Sequence, residues 1–243
     1  MAGIGILGDI HGNLPALEAV LEHAGTLDGW LCVGDIVGYG PFPNECIDRV
    51  RGLDARCVTG NHDLGSTGLL DLSFFNVFAR IACEWTNAAL EPEAREWLSS
   101  LPAIDRAPDR PLIVHGSVRD PVWEYVMRTS VAAYNFELFN EALCFNGHTH
   151  VPMIFAFSGG HASEVEVFDG LSLDLLDGTR YMANVGSVGQ PRDLDARACY
   201  CVLYPERKVL EYHRVEYPFE RTQSRMSQEG LPEPLITRLA YGR

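Results

Sequence analysis

No stretch of this 243-residue sequence approaches the ~20 consecutive apolar residues that a membrane-spanning helix requires. Met1-Ala2-Gly3-Ile4-Gly5 has no basic stretch leading into a long apolar run, so no export signal is expected and a cytoplasmic location is. Paired cysteine motifs are also missing. The seven cysteines are scattered without a C-x-x-C, which points to free buried thiols rather than a disulfide frame or a zinc site. Cys199 and Cys201, two apart, would share one face of a strand. Positive charge is scarce, 19 Lys and Arg against 33 Asp and Glu, leaving a formal charge of −14. That balance argues against stable nucleic-acid binding and against adhesion to anionic membranes, both of which need basic patches. There is no G-x-S-x-G elbow, no cysteine-nucleophile signature and no P-loop, so covalent acyl chemistry and P-loop nucleotide binding have no foothold. Repeats, low-complexity tracts and linkers are absent, and one domain spanning 1–243 is expected.

What is present is an ordinary globular mixture, 47% hydrophobic and 21% charged, on a chain long enough to bury a core. Five short apolar runs end in glycine-flanked polar clusters. Ile4-Gly5-Ile6-Leu7 leads to Asp9 and His11. Trp30-Leu31-Cys32-Val33 leads to Asp35, and Ala55 to Thr59 leads to Asn61, His62 and Asp63. Leu112-Ile113-Val114 leads to His115, and Leu143 to Asn146 leads to His148 and His150. Runs this short and apolar suit strands buried on both faces. Between the early ones lie helical stretches from Leu14, with Asn13 as cap and Pro15 in the first turn, and from Asn44 to Val50. Alternating strand and helix means an α/β layered fold, with ligands bound beyond the carboxyl ends of the strands.

Residues 64–106 interrupt the alternation. Phe75, Phe78, Ala79, Ala82, Trp85 and Ala89 recur at helical spacing, which fits either a cap over the site or plain core packing. Residues 151–215 read as strands with turns at Ser158-Gly159-Gly160 and Asp177-Gly178, enough for a second sheet. The tail, 219–243, reads as a loosely packed helix or C-terminal arm.

The polar clusters form a donor set suited to two divalent metals, which need separate groups of oxygen and imidazole ligands and a shared anion. Asp9 and His11, two apart at a strand end, point to one side; Asp35, alone on its strand, suits a bridge. Two divalent ions bring about +4 and the two carboxylates remove about 2, which leaves a centre that attracts phosphate despite the acidic chain. Outside this set, Arg192 suits a phosphate contact or a surface turn, and Tyr39, Trp123 and Tyr125 suit a cleft wall or packing. Asn13 suits either a cap or a brace for the first ligands. His23, His161 and His213 match no motif and read as packing or surface residues.

Asp9-Ile10-His11, Gly34-Asp35, Gly60-Asn61-His62-Asp63, His115-Gly116 and Gly147-His148-Thr149-His150, in this order, resemble the pattern of the calcineurin-like metallophosphoesterase superfamily. Gly34 to Pro41 and Asn184 to Arg192 are similar to stretches of its small YfcE-type phosphodiesterases. The resemblance implies a four-layer α/β/β/α sandwich of two mixed sheets. It implies one metal on Asp9, His11 and His150, another on Asn61, His115 and His148, and Asp35 between them. It further implies phosphoester hydrolysis, most of all of phosphodiesters, by hydroxide generated between the metals, with His62 as general acid; Asp63, the next residue, is the candidate to orient it. Manganese is the first expectation for the metal, with iron, zinc, nickel and cobalt also suited to mixed Asp/His/Asn ligation. The substrate would be a small or nucleotide-derived phosphoester, contacted by Arg192 and Tyr39. Phosphomonoesters, nucleoside polyphosphates and phosphoproteins remain alternatives, as does a non-catalytic metal-binding scaffold, against which the presence of His62 argues. A homo-oligomer is left open.

Overall fold

The computed structural model describes residues 3–108 and 110–243. In chain order the elements are β1 (Ile4–Leu7), α1 (Leu14–Ala24), β2 (Gly29–Cys32), α2 (Pro43–Gly52), β3 (Arg56–Cys57), α3 (Asn61–Thr67), α4 (Val77–Ala89) and α5 (Pro92–Ser99). Then follow β4 (Ile104–Asp105), β5 (Leu112–Val114), α6 (Thr129–Phe136), β6 (Leu143–Asn146), β7 (Met153–Ser158), β8 (His161–Val165), β9 (Ser172–Asp174) and β10 (Arg180–Asn184). The chain closes with β11 (Ala198–Tyr204), β12 (Val209–Val215), α7 (Phe219–Gln228) and α8 (Glu233–Thr237).

Two mixed sheets of six strands result, ordered β3-β2-β1-β11-β12-β9 and β4-β5-β6-β10-β7-β8. The parallel pairs, β1 with β2, β2 with β3, β5 with β6 and β6 with β10, carry the polar clusters at their carboxyl ends. Alternation of side chains builds the layers. Along β1, Ile6 faces the second sheet and Leu7 the helices. On β11, Cys199 and Cys201 point between the sheets, whereas Tyr200 and Val202 pack under α1. The inter-sheet core includes Ile6, Val33, Ile113, Phe145, Ile154 and Tyr212. Leu17, Val20, Ile47, Val50 and Leu98 cover the first sheet, and Phe136 and Phe139 cover Val114, Phe155 and Met182 on the second. The four layers are therefore helices, sheet, sheet and helix, the α/β/β/α sandwich expected from the sequence.

The first helix forms where its signals lie: the Asn13 side chain accepts from the Ala16 N–H at 3.4 Å and Pro15 sits in the first turn. α4 buries Ala79, Ala82 and Cys83, while the loop before it turns Phe74 and Phe75 toward a cleft. The tail is better packed than its polar composition suggested. Met226, Leu231, Leu235, Ile236 and Leu239 are buried with Tyr39, Ala79 and Ala82 in one apolar cluster. Met226 comes from α7, Leu235 and Ile236 from α8, and Leu231 and Leu239 from the turns beside them.

Candidate metal centre and its cleft

Beyond the strand ends, Asp9, His11, Asp35, His148 and His150 all adopt left-handed backbone conformations, with φ between 50° and 69°. Non-glycine residues pay about 1–2 kcal/mol each for this conformation, so five at one place are held by their surroundings. The same backbone corrects one expectation. Asp9 and His11 do not converge through strand alternation, because β1 ends at Leu7; the left-handed loop brings them together. Hydrogen bonds fasten that loop: Asp9 N–H donates to Gly34 O, His11 N–H to Asp35 O, and Gly189 N–H to Asp9 O. The Ser187 hydroxyl also donates to Asp9 O, at 2.8 Å. Asn13 serves as cap and as brace, its amide donating to Gly189 O at 2.8 Å while its oxygen accepts from the Thr222 hydroxyl at 2.7 Å.

Two groups of buried donors meet at these loops. Asp9, His11, Asp35 and His150 place ligand atoms within 4.8 Å of one another, and so do Asp35, His115 and His148. Asp35 belongs to both. Its Oδ1 accepts from the His62 N–H at 2.8 Å, and its Oδ2 is buried without a hydrogen-bond partner, 3.6 Å from His11 Nε2 and 3.3 Å from His115 Nε2. The carboxylate is thus half anchored and half presented to the space between the groups. Only glycine fits at position 60, where a Cβ would stand 2.0 Å from Asp35 Oδ1.

The histidine tautomers follow from their outer partners. A carbonyl only accepts, so the ring nitrogen facing one carries hydrogen. His11 Nδ1 donates to Val37 O at 3.1 Å, His150 Nδ1 to Gln190 O at 2.6 Å, His115 Nδ1 to Val33 O at 3.0 Å, and His148 Nε2 to Trp123 O at 3.2 Å. When the four rings are neutral, every inner nitrogen is a lone pair aimed at the centre. His11 Nε2 and His150 Nε2 then face each other at 3.0 Å, and His115 Nε2 faces His148 Nδ1 at 3.1 Å and Asn61 Oδ1 at 3.2 Å. Acceptors converging at these distances need a cation or a proton among them. Burial holds His11 and His150 well below the usual imidazole range and lowers His148 to about 3, so protons do not readily fill the role at those rings. Burial also opposes charging of His115, but Asp35 outweighs it and raises that ring to about 9; a metal there would displace its proton. Asp35 itself is opposed by burial, yet His115, His62 and His11 hold its carboxyl well below the ordinary range. Burial raises Asp9 to about 7, with Asp35 adding repulsion against the pull of His115. Outer N–H groups on carbonyls with inner lone pairs on a buried carboxylate are what a divalent metal requires of its surroundings. The donor set fits two ions.

His62 stands beside this centre, 4% exposed, its ring 4.8 Å from that of His11 and 4.3 Å from that of Tyr39. Burial lowers it to about 4 against the pull of Asp35. Its Nδ1 lies 3.4 Å from the Cys83 thiol, which burial pushes up to about 12 and so keeps as a donor. Gly38 leaves room for this arrangement: at φ +127° it carries no Cβ, which would fall 2.6 Å from His62 Nδ1.

Asp63, expected to orient His62, faces elsewhere. Its carboxylate accepts from the backbone N–H groups of Asp35, Val37 and Gly60 at 2.8, 3.1 and 2.9 Å. As the third residue of α3 it turns back over the helix start and clamps the two ligand loops. Changing Asp63 to Ala leaves three buried N–H groups without an acceptor, at about 1–3 kcal/mol each. At roughly 2–4 °C per kcal/mol for a chain of this size, a thermal melt is expected to fall by at least about 6 °C. A shift within 2 °C would rule out the clamp.

The centre opens on a cleft lined by Asp35, Tyr39, Asn61, His62, Phe74, Phe75, Trp123, Tyr125, His148, His150, Arg192 and Arg238. Arg192 donates to Tyr39 Oη at 3.3 Å and to Gln190 Oε1 at 3.0 Å. Arg238, Phe74 and Cys83 were not singled out by sequence, since none stands in a motif and each arrives from a distant element, and Gln190 was quoted only as part of the Asn184 to Arg192 stretch. His23 and His213 pack around Tyr200 and His161 is exposed, away from the donors. A larger cavity of about 560 Å³ lies around Leu143, Leu175, Tyr181 and Lys208 and contains none of the donors.

The buried cluster of carboxylates and imidazoles at the strand ends of this two-sheet sandwich is a candidate site for two divalent metals. The sequence model of the calcineurin-like phosphoesterases matches residues 3–152, and the chain belongs to that family. It is similar to a metallophosphoesterase of Sphaerobacter thermophilus of known structure, with 45% identity and a TM-score of 0.91 over 100% of this chain and 99% of the other. An uncharacterized protein of Methanocaldococcus jannaschii is 36% identical over 247 residues, 99% of this chain and 98% of the relative. The symmetrical bis(5′-nucleosyl)-tetraphosphatase of Psychromonas ingrahamii is 32% identical over 124 residues, covering 49% of this chain and 45% of its own length. The protein is thus a metal-dependent phosphoesterase. No helix among the described residues is long and apolar enough to cross a membrane.

Proposed function

We propose that the chain, acting as one domain, hydrolyses phosphodiesters of small or nucleotide-derived molecules with two divalent ions, manganese first among them. Asp9, His11 and His150 would hold one ion, Asn61, His115 and His148 the other, and Asp35 both. The observation that carries this reading is Asp35 Oδ2, a buried carboxylate oxygen with no partner, common to two groups of inward lone pairs. Bound ions supply Lewis-acid neutralisation of phosphate charge and activation of water.

The residues of the chain do the rest. His62 would act in its imidazolium form, giving the Nε2 proton to the departing oxygen and returning to the neutral ring, while Cys83 contacts its Nδ1 at 3.4 Å. Asp63 holds the loops of Asp35 and Asn61. Arg192, steadied by Gln190 and Tyr39, contacts the phosphate. The aromatic residues and arginines that line the cleft with the donors support a diester over a monoester, since a diester carries a second substituent on phosphorus. Seven buried, unpaired cysteines suit a reducing cytoplasm.

Purified protein with added manganese is expected to cleave bis-p-nitrophenyl phosphate, and faster than p-nitrophenyl phosphate. Absence of turnover with every divalent ion, despite measured bound metal, would sink the proposal. A monoester rate exceeding the diester rate would overturn the substrate preference alone.

A further inference from the structure

Two features of the cleft exceed what metal donors and a proton donor require. The first is a pair of arginines. Arg192 and Arg238 both donate to one neutral oxygen, Gln190 Oε1, at 3.0 and 3.1 Å. Gln190 is 1% exposed, and Arg192 Nε is buried without a hydrogen-bond partner. Arg49, Arg51, Arg56, Arg197 and Arg214 each pair with a carboxylate, but among the described residues neither cleft arginine does. In a chain with 33 acidic residues, two guanidiniums sharing one amide oxygen and no carboxylate are a deliberate excess of positive charge. Like charges so placed repel, and burial together with Arg192 lowers the affinity of Arg238 for its proton. A doubly charged phosphate resolves both the repulsion and the free donors.

The second feature is an aromatic wall of two loops. Phe75 meets Trp123 edge-on at 5.1 Å, Phe74 lies 6.3 Å from the same indole, and Tyr125 stacks on the metal-side ring of His148 at 4.2 Å. Phe74 is 73% and Tyr125 49% exposed. Open aromatic faces gathered at one cleft are a surface for a flat ring rather than a core. The metal centre lies in the same cleft as both features.

We infer that the cleft takes a nucleotide carrying more than one phosphate: the base against Phe74 and Trp123, one phosphoryl group at the metal donors, and a further phosphate on Arg192 and Arg238. This deepens the phosphoesterase reading and rests on it. Arg238 lies on the C-terminal segment, so the last residues of the chain complete a subsite that the donor motifs do not encode.

The test measures equilibrium binding to manganese-loaded protein by tryptophan fluorescence, with α,β-methylene-ADP, AMP and methylenediphosphonate as probes. Wild-type protein is expected to bind α,β-methylene-ADP about 10-fold or more tighter than AMP, as hydrogen bonds to a charged group are worth about 1.5–3 kcal/mol. Arg238→Gln brings that ratio close to one. Phe74→Ala weakens both nucleotides by about 5-fold or more, the value of one base stack, and leaves methylenediphosphonate unchanged. An Arg238→Gln protein that keeps the wild-type ratio, or a Phe74→Ala protein that loses all three probes equally, would overturn the inference. Hydrolysis of bis-p-nitrophenyl phosphate by the wild type is followed in parallel. Turnover without the nucleotide pattern defeats this inference alone, whereas loss of turnover defeats the phosphoesterase reading, because binding is read independently of catalysis.

Discussion

Asp35→Asn is expected to lower kcat/KM on bis-p-nitrophenyl phosphate by about 10³-fold or more and to reduce bound metal to one equivalent or less. The reduction corresponds to several kcal/mol of transition-state stabilisation, the usual worth of a metal centre. The substitution is nearly isosteric, and an amide retains the oxygen that accepts from the His62 N–H. Only the second oxygen changes, the one without a partner between His11 and His115. An amide nitrogen there donates to lone pairs that would otherwise hold ions. The metal-free variant should be less stable than the metal-free parent, because it loses the buried charge that raises His115 and that His115, His62 and His11 hold ionised, while the gain on adding metal shrinks. For the parent that gain is about 2.7 kcal/mol at a hundredfold excess over Kd, or roughly 5–11 °C. Elemental analysis, thermal melts with and without manganese, and steady-state kinetics check the three parts. A variant that keeps two full equivalents of metal would remove Asp35 from between the ions.

His62→Gln is expected to behave differently. Metal content stays at the parental level, since the inner lone pairs belong to other rings. Turnover of an alkyl or nucleoside ester falls by about 10²–10⁴-fold, the usual worth of a positioned acid, while release of p-nitrophenolate, which needs no proton, falls far less. Glutamine approximates the volume that His62 fills against Tyr39 and Phe75, which limits collapse of the cleft. Equal losses on good and poor leaving groups would deny His62 the role of acid, and loss of metal would make it a ligand or its support.

The differing fates of these residues show what the linear sequence carries. The layered fold was legible because buried strands are short, apolar and followed by glycine, as at Leu112-Ile113-Val114-His115-Gly116. The donor residues were legible for the same reason: strand ends in parallel order must come together at one edge. Three things were not. The left-handed loop that aims Asp9 and His11 depends on a hydrogen bond to the Gly34 carbonyl and one from the Gly189 N–H, far along the chain. Asp63 follows His62 in sequence but turns away from it, because three unpaired N–H groups draw its carboxylate. Arg238 sits in a polar tail whose packing is set by a handful of apolar residues on short helices. Each of these is a long-range contact, and local pattern says nothing about partners that distant.

The sheet order has a consequence for how the protein is made. All seven donor residues have left the ribosome once His150 has, yet β1 is flanked by β11, and β6 by β10. Both flanking strands are synthesised later, and the loop from Val185 to Gln190 that fastens Asp9 and His150 lies between them. A nascent chain bearing every ligand therefore lacks the frame that turns those ligands inward. Such non-local closure is intrinsically slow. On the proposed donor set, metal capture is expected late, as a seal on an almost finished polypeptide rather than a seed for it.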